Sequence, residues 1–172
     1  MEPQQLGPYV LGKRLGRGGM GAVYEAKHQE TGEHVAVKVL ASHLADDLGL
    51  KERFEAEIQT LKPLRCSGIV QLIAYGEDEG QPYFAMELVD GQSLERVIRG
   101  GRTFSVEEVI GFSIEIARSL KVAHDHGIIH RDLKPANLLI PSDADCGYAG
   151  IKLADFGIAK LFGAASLSLI HI

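Results

Sequence analysis

The sequence has few cysteines, no long apolar run and no excess of positive charge, and each shortage excludes something. There are two cysteines, Cys66 and Cys146, far apart and in unrelated contexts. Neither belongs to a CxxC or Cys/His pattern, so no zinc site or disulfide framework is expected, and both are read as free thiols of a reducing compartment. No stretch reaches the ~18 consecutive apolar residues of a spanning helix, so no membrane segment is expected in this chain. The opening "MEPQQLGPYV" lacks the basic and apolar regions of a signal peptide. Acidic side chains number 23 against 18 lysines and arginines, a net charge of −5. That balance argues against a nucleic-acid partner, which needs a basic face.

What remains is ordinary soluble composition over 172 residues, 45% apolar and 24% charged. A core without metal or disulfide is affordable at that length. The first 90 residues read mainly as strands. "YVLGKRLG", "AVYEAKH", "EHVAVKVL", "GIVQLIAYGE" and "QPYFAMELV" are short β-type runs, punctuated by "ETGE" and "DEG" turns. One helix interrupts them, with Leu50, Phe54, Ile58 and Leu61 at helical spacing and Pro63 near its end. From residue 91 the pattern turns helical. Ser93 caps a short helix that "GG" at 100–101 closes. Ser105 and Glu108 form a capping box before a long helix whose apolar stripe runs Val106, Val109, Ile110, Ile116 and Leu120, and Gly127 ends it. "NLLI" and "GIKLAD" follow as short strands. The fold class is therefore α+β, a β-rich part of about 90 residues before a mainly helical one, with a cleft expected between them.

Chemistry concentrates in four places. "GRGGMGAV" spaces Gly16, Gly18 and Gly21 as GxGxxG before Val23. A strand follows, not a helix, so this is a glycine-rich hairpin whose backbone can approach phosphates, or a flexible hairpin without function. "VAVK" puts Lys38 in an apolar strand, where an ammonium needs an anionic partner. Glu57 is the natural candidate, but Glu52 and Glu55 share its helix and spacing does not decide among them. "HRDLKPANLL" packs His130, Arg131, Asp132, Lys134 and Asn137 between apolar runs. An aspartate there can take a proton from a hydroxyl, a lysine can neutralise a phosphoryl group and an asparagine can ligate a metal. His130 is read as structural, bonding nearby backbone. His124 and His126 are read as helix-end residues. "LADFG" then sets Asp155 after a strand, where it can share Mg²⁺ with Asn137.

Together "GRGGMGAV", "VAVK", the Glu57 helix, "HRDLKPAN" and "DFG", in that order, resemble the protein kinase family. The wording is most similar to bacterial eukaryotic-like serine/threonine kinases, and Lys134 with Pro135 after Asp132 favours that branch over tyrosine kinases. The resemblance implies a two-lobed kinase-like fold, the β-rich N-lobe complete and the helical C-lobe only partly present. It implies transfer of the ATP γ-phosphoryl to Ser/Thr hydroxyls of a protein substrate, with ATP and Mg²⁺ as cofactors. Gly16 to Val23 would cover the phosphates. Lys38 would hold the α/β-phosphates and pair with Glu57. Asp132 would orient the hydroxyl and accept its proton, and Lys134 would contact the γ-phosphate. Asn137 and Asp155 would bind Mg²⁺. Met86 would be the gatekeeper, with the backbone of Glu87 and Val89 bonding adenine. Leu15, Val23, Ala36 and Leu139 would sandwich the ring. Arg131 suggests control by an activation-loop phosphate.

The implied division is an N-lobe and hinge at 1–90 and a first part of the C-lobe at 91–166. "PSDADCGYAG" reads as a surface insertion. No APE-like motif follows DFG. "LSLIHI" at 167–172 reads as the translation of a transposase mosaic-end adapter, so these residues are expected to be non-native and the gene to continue past about Ala165. Such a shortened chain is expected to be poorly soluble and inactive alone. The kinase part is expected to be cytoplasmic, with a membrane anchor and a kinase dimer left to the full-length form. A pseudokinase-like nucleotide-binding scaffold is the alternative, disfavoured because Lys38, Asp132, Asn137 and Asp155 are all present.

Overall fold

A computed structural model describes residues 4–18, 21–40, 58–59, 61–142 and 150–156. They fall into two units, one within residues 1–62 and 72–88, the other within 63–71 and 89–160.

The first unit is a six-stranded antiparallel sheet. Its strands are β1 (Gln5–Leu6), β2 (Tyr9–Gly18), β3 (Gly21–His28), β4 (His34–Leu40), β5 (Leu72–Asp78) and β6 (Gln81–Glu87), in the order β1-β2-β3-β4-β6-β5. Strand alternation sorts its residues onto two faces. Leu6, Tyr9, Leu11, Ala26, Val35, Val37, Tyr83 and Ala85 pack together on one. The other carries Val23, Ala36, Lys38, Phe84 and Met86, matched by the register Val23↔Lys38↔Phe84 and Ala36↔Met86. The "DEG" turn joins β5 to β6 with Glu79 at φ 47 and Gly80 at φ 77. Two successive positive φ values give the twist that suits a two-residue hairpin. The Asp78 carboxylate at the end of β5 accepts a 2.7 Å bond from the Gly7 N–H, tying down the β1–β2 turn. β1 is too short to have shown in the sequence pattern. The helix expected through Leu50, Phe54 and Glu57 lies outside the described residues, apart from buried Ile58 and Leu61 near its end.

The second unit begins its regular structure with β7 (Gly91–Ser93), which leads into α1 (Leu94–Arg99) and then α2 (Val106–Asp125). A 3-10 turn at Pro135–Asn137 follows, then β8 (Leu138–Pro141) and β9 (Lys152–Leu153), and the small sheet has the order β7-β8-β9. Ser93 caps α1 by accepting from the Arg96 N–H at 3.2 Å. The capping box of α2 is complete. Ser105 Oγ accepts from the Glu108 N–H at 3.2 Å, and Glu108 Oε2 accepts from the Ser105 N–H at 2.8 Å. Gly127, at φ 74, ends the helix in the left-handed region. Residues 63–71 join this unit because Val70 N–H donates to Leu153 O and Leu153 N–H donates to Gly68 O. Gly68 sits so close to α2 that a Cβ there would overlap Ser119 Oγ.

The expected stripe of α2 is only partly covered. Phe112, Ser119 and Ala123 are buried, whereas Val106 is 70% exposed and Val109, Ile110 and Ile114 are about half exposed. Ser119 faces inward into the space that Gly68, without a Cβ, leaves open, and the buried strip lies to the side of the apolar one. No helix among the described residues is long and apolar enough to cross a membrane.

Candidate active site

The site residues divide between the two units. In the first, the β2–β3 hairpin closes with the pair Gly18↔Gly21, above Arg17↔Ala22 and Gly16↔Val23. Its glycines have different reasons. Gly21 has φ 137, and a Cβ there would run into the Val39 carbonyl oxygen, so the fold itself demands glycine. Among the described residues Gly16 and Gly18 would meet nothing within 4 Å, so no packing demand there explains them. Leu15 beside them is 47% exposed and Val23 is half-buried.

Ala36 and Met86 are buried and face each other across β4 and β6. Lys38 is two residues along β4 on the same face, only 6% exposed, with its Nζ 5.6 Å from the centroid of the Phe84 ring. Glu87 ends β6, half-buried. Glu57, the expected partner of Lys38, lies outside the described residues.

In the second unit the chain leaves α2 at Gly127, buries Ile128 and reaches His130, which is 2% exposed. His130 Nε2 lies 3.0 Å from Ala154 O, and Nδ1 lies 3.3 Å from the Asp132 N–H. A carbonyl can only accept and an N–H can only donate. The ring is therefore neutral, with its proton on Nε2. Burial pushes its pKa below the ordinary value and outweighs the opposing pull of the Ala154 and own-backbone hydrogen bonds and of Asp132 and Asp155. The ring also lies against Phe156, with centroids 4.5 Å apart. His130 thus ties the start of this loop to the chain around Asp155, the structural role read from the sequence.

Asp132 is the hub. Lys134 Nζ donates to its Oδ2 at 2.6 Å. Asn137 Nδ2 donates both to Asp132 O at 2.8 Å and to Oδ2 at 3.0 Å. Burial pushes the Asp132 carboxyl up. The bonds from Lys134 and Asn137, with the charge of Lys134, outweigh that and hold its pKa below the ordinary carboxylate value. Asp132 is therefore ionised at neutral pH. The Lys134–Asp132 pair is half exposed on the lysine side. An ion pair of that kind contributes little to stability, about 0–1 kcal/mol. Its value is positional.

Pro135 opens the 3-10 turn, where its missing N–H costs nothing. The turn brings Asn137 back under Asp132, with Asn137 N–H donating to Lys134 O at 2.9 Å. Ala154 N–H then donates to Asn137 O at 2.9 Å, one step beyond the β8–β9 pair Leu138↔Leu153. This places Asp155 immediately after the residue bonded to Asn137. Leu139 pairs with Lys152 and with Ser93, half-buried in the small sheet, and Val89 is half-buried ahead of β7.

Two features here were not read from the sequence. Arg131 and Asp155 have φ of 62 and 59, and with Glu79 they are the non-glycine residues at positive φ among the described residues. Such conformations cost about 1–3 kcal/mol each and gather where function requires them. Asp tolerates this region and would have been a weak signal, but arginine gives none. The Phe84 ring beside Lys38 was also missed, although their register across β4 and β6 follows from strand pairing.

The protein kinase domain family matches residues 9–169. A probable serine/threonine-protein kinase of Streptomyces coelicolor is 38% identical over 98% of this chain and 25% of its own length. Serine/threonine-protein kinase PknA of Mycobacterium tuberculosis is 38% identical over 94% of this chain and 38% of its own. The crystal structure of the M. tuberculosis PknI kinase domain superposes with a TM-score of 0.78 at 32% identity, covering 92% of this chain and 61% of that one. The β-rich first unit and helical second unit are thus those of a partial kinase fold. The chain belongs to the protein kinase domain family. It spans about a quarter to two fifths of the length of these curated relatives.

Proposed function

We propose that this chain is the nucleotide-binding and catalytic-loop part of a protein kinase that transfers the γ-phosphoryl of ATP to serine or threonine hydroxyls. The observation that carries the reading is the ionised Asp132, held by Lys134 and Asn137. An ionised, oriented carboxylate is what a hydroxyl nucleophile needs to lose its proton. Lys134, already beside it, would meet the γ-phosphoryl oxygens as charge develops.

Asn137 and Asp155 suit Mg²⁺. The Asn137 amide nitrogen is committed to two acceptors of Asp132, so its Oδ1 is directed away from them. An amide oxygen and a carboxylate are hard donors, and Mg²⁺ takes few protein ligands, completing its shell with water and phosphate. When bound, the ion would neutralise phosphate charge. Lys38 would hold the α/β-phosphates with Glu57 as its partner. The space that the described residues leave open at Gly16 and Gly18 would let phosphate approach the hairpin backbone. Leu15, Val23, Ala36 and Leu139 would enclose the adenine, Met86 would bound its pocket, and the backbone of Glu87 and Val89 would bond its edge. The kinase part would work in the cytoplasm, where ATP and reduced thiols are found.

Asp132→Ala tests the reading in a protein carrying the complete catalytic domain. ATP binding should persist while transfer to a Ser/Thr substrate falls by at least about 10²-fold. Absence of any transfer by the unsubstituted protein, with ATP still bound, would replace this reading by a nucleotide-binding scaffold.

A further inference from the structure

Lys38 carries a formal charge on a face otherwise built from Val23, Ala36, Phe84 and Met86, and it is 6% exposed. Phe84 is 1% exposed and lies directly across from it on β6. The backbone pairing therefore fixes which ring meets this lysine. Nζ stands 5.6 Å from the ring centroid, inside the distance at which a ring quadrupole attracts a cation. An aliphatic residue at 84 would fill the face and offer no such attraction.

From this geometry we propose that Phe84 is a positioning residue for nucleotide binding, its ring holding the Lys38 ammonium at the height where the phosphates arrive. The inference rests on the nucleotide reading above. A four-carbon stem has many rotamers, and ordering it on binding costs affinity. A lysine already anchored beside the ring meets less of that cost. Lys38 has further contacts besides the ring, so Phe84 supplies a share of the restraint and not the whole. Phe84 touches neither substrate nor metal in this proposal. Its effect on nucleotide binding would travel through Lys38.

Progressive fluorination of a phenylalanine at position 84 drains the ring quadrupole while barely changing its shape, so folding is preserved. In the full catalytic domain the Kd for MgATP, measured calorimetrically, should rise stepwise from mono- to trifluorinated ring, reaching about 2- to 10-fold. Phe84→Leu should weaken binding at least as much, and the lysine ε-methylene proton resonances should lose their ring-current shift. In a Lys38→Ala background the same fluorination series should be flat, because the coupling then has no second partner. Binding that ignores fluorination, or responds equally in both backgrounds, overturns the inference and leaves the nucleotide reading standing. Absence of MgATP binding by the unsubstituted protein overturns the nucleotide reading and the inference with it.

Discussion

Asn137 spends both amide hydrogens on one residue, donating to the backbone oxygen of Asp132 at 2.8 Å and to its carboxylate at 3.0 Å. Asn137 is 6% exposed, so these bonds form where water competes little. Replacing it by alanine leaves the Asp132 carboxylate with one donor fewer and removes an oxygen from the proposed ion site. Phosphoryl transfer by Asn137→Ala should fall by about 10²-fold or more. Asn137→Asp should fare no better despite its oxygens, since a second carboxylate would face Oδ2 of Asp132. Transfer assays across a Mg²⁺ titration check both, and near-normal transfer by Asn137→Asp would count against the donor role.

The hairpin glycines separate folding from binding. Gly21→Ala forces a Cβ against the Val39 carbonyl at φ 137 and should cost about 1–3 kcal/mol or more, seen as a lowered unfolding midpoint. Gly16→Ala and Gly18→Ala meet nothing within 4 Å among the described residues and should leave stability within about 0.5 kcal/mol of the parent. Their loss should be in MgATP affinity. Equal destabilisation by all three would contradict the distinction.

His130 makes stability depend on acid. Its folded pKa lies below the ordinary 6.5, so the unfolded chain takes up the proton first. The neutral ring's contribution is complete above about pH 6.5 and is lost as pH falls through the lower folded pKa. Protonation would also put a hydrogen on Nδ1, where the Asp132 N–H now donates. Unfolding midpoints measured from pH 7.5 to 5 should decline below 6.5, and His130→Gln, with no titrating ring, should flatten that part of the curve. Asp132, also held low, adds a loss only at more acidic pH.

The α2 cap has a predictable worth. Ser105→Ala removes the acceptor for the Glu108 N–H and should destabilise by about 1 kcal/mol. Glu108→Gln keeps the reciprocal bond to the Ser105 N–H but weakens its charge-assisted partner Arg102, now at 2.9 Å, and should cost less. Denaturant unfolding of the two variants orders them, and a larger loss for Glu108→Gln would mean that the Arg102 pair, not the cap, is what matters there.

The exposed row on α2 can be changed cheaply. Val109→Glu and Ile110→Lys lie at positions about half exposed, so stability should move by less than about 0.5 kcal/mol while the solubility of the 172-residue chain rises. A cooperative loss of structure instead would mean that this row is covered in solution.

Most of the architecture follows from local rules, which is why the sequence alone determined it. The β-type runs of β4 and β6, the polar turn at Glu79–Gly80, the Ser105–Glu108 box and the stop at Gly127 each depend on residues a few positions apart, and local spacing carries that information. The proposed catalytic loop was legible for a similar reason, since Asp132, Lys134 and Asn137 lie within six residues of chain. What tertiary structure alone decided depends on pairs distant in sequence. Strand register chose Phe84 as the ring beside Lys38, 46 positions away. The Ala154–Asn137 bond set Asp155 next to the turn that holds Asn137, and Gly68 leaves the space that Ser119 of α2 occupies. The left-handed turns at Arg131 and Asp155 belong here too. A backbone conformation that a side chain resists is held by the contacts around it, and here His130, beside Arg131, bonds Ala154, beside Asp155, from 24 positions away.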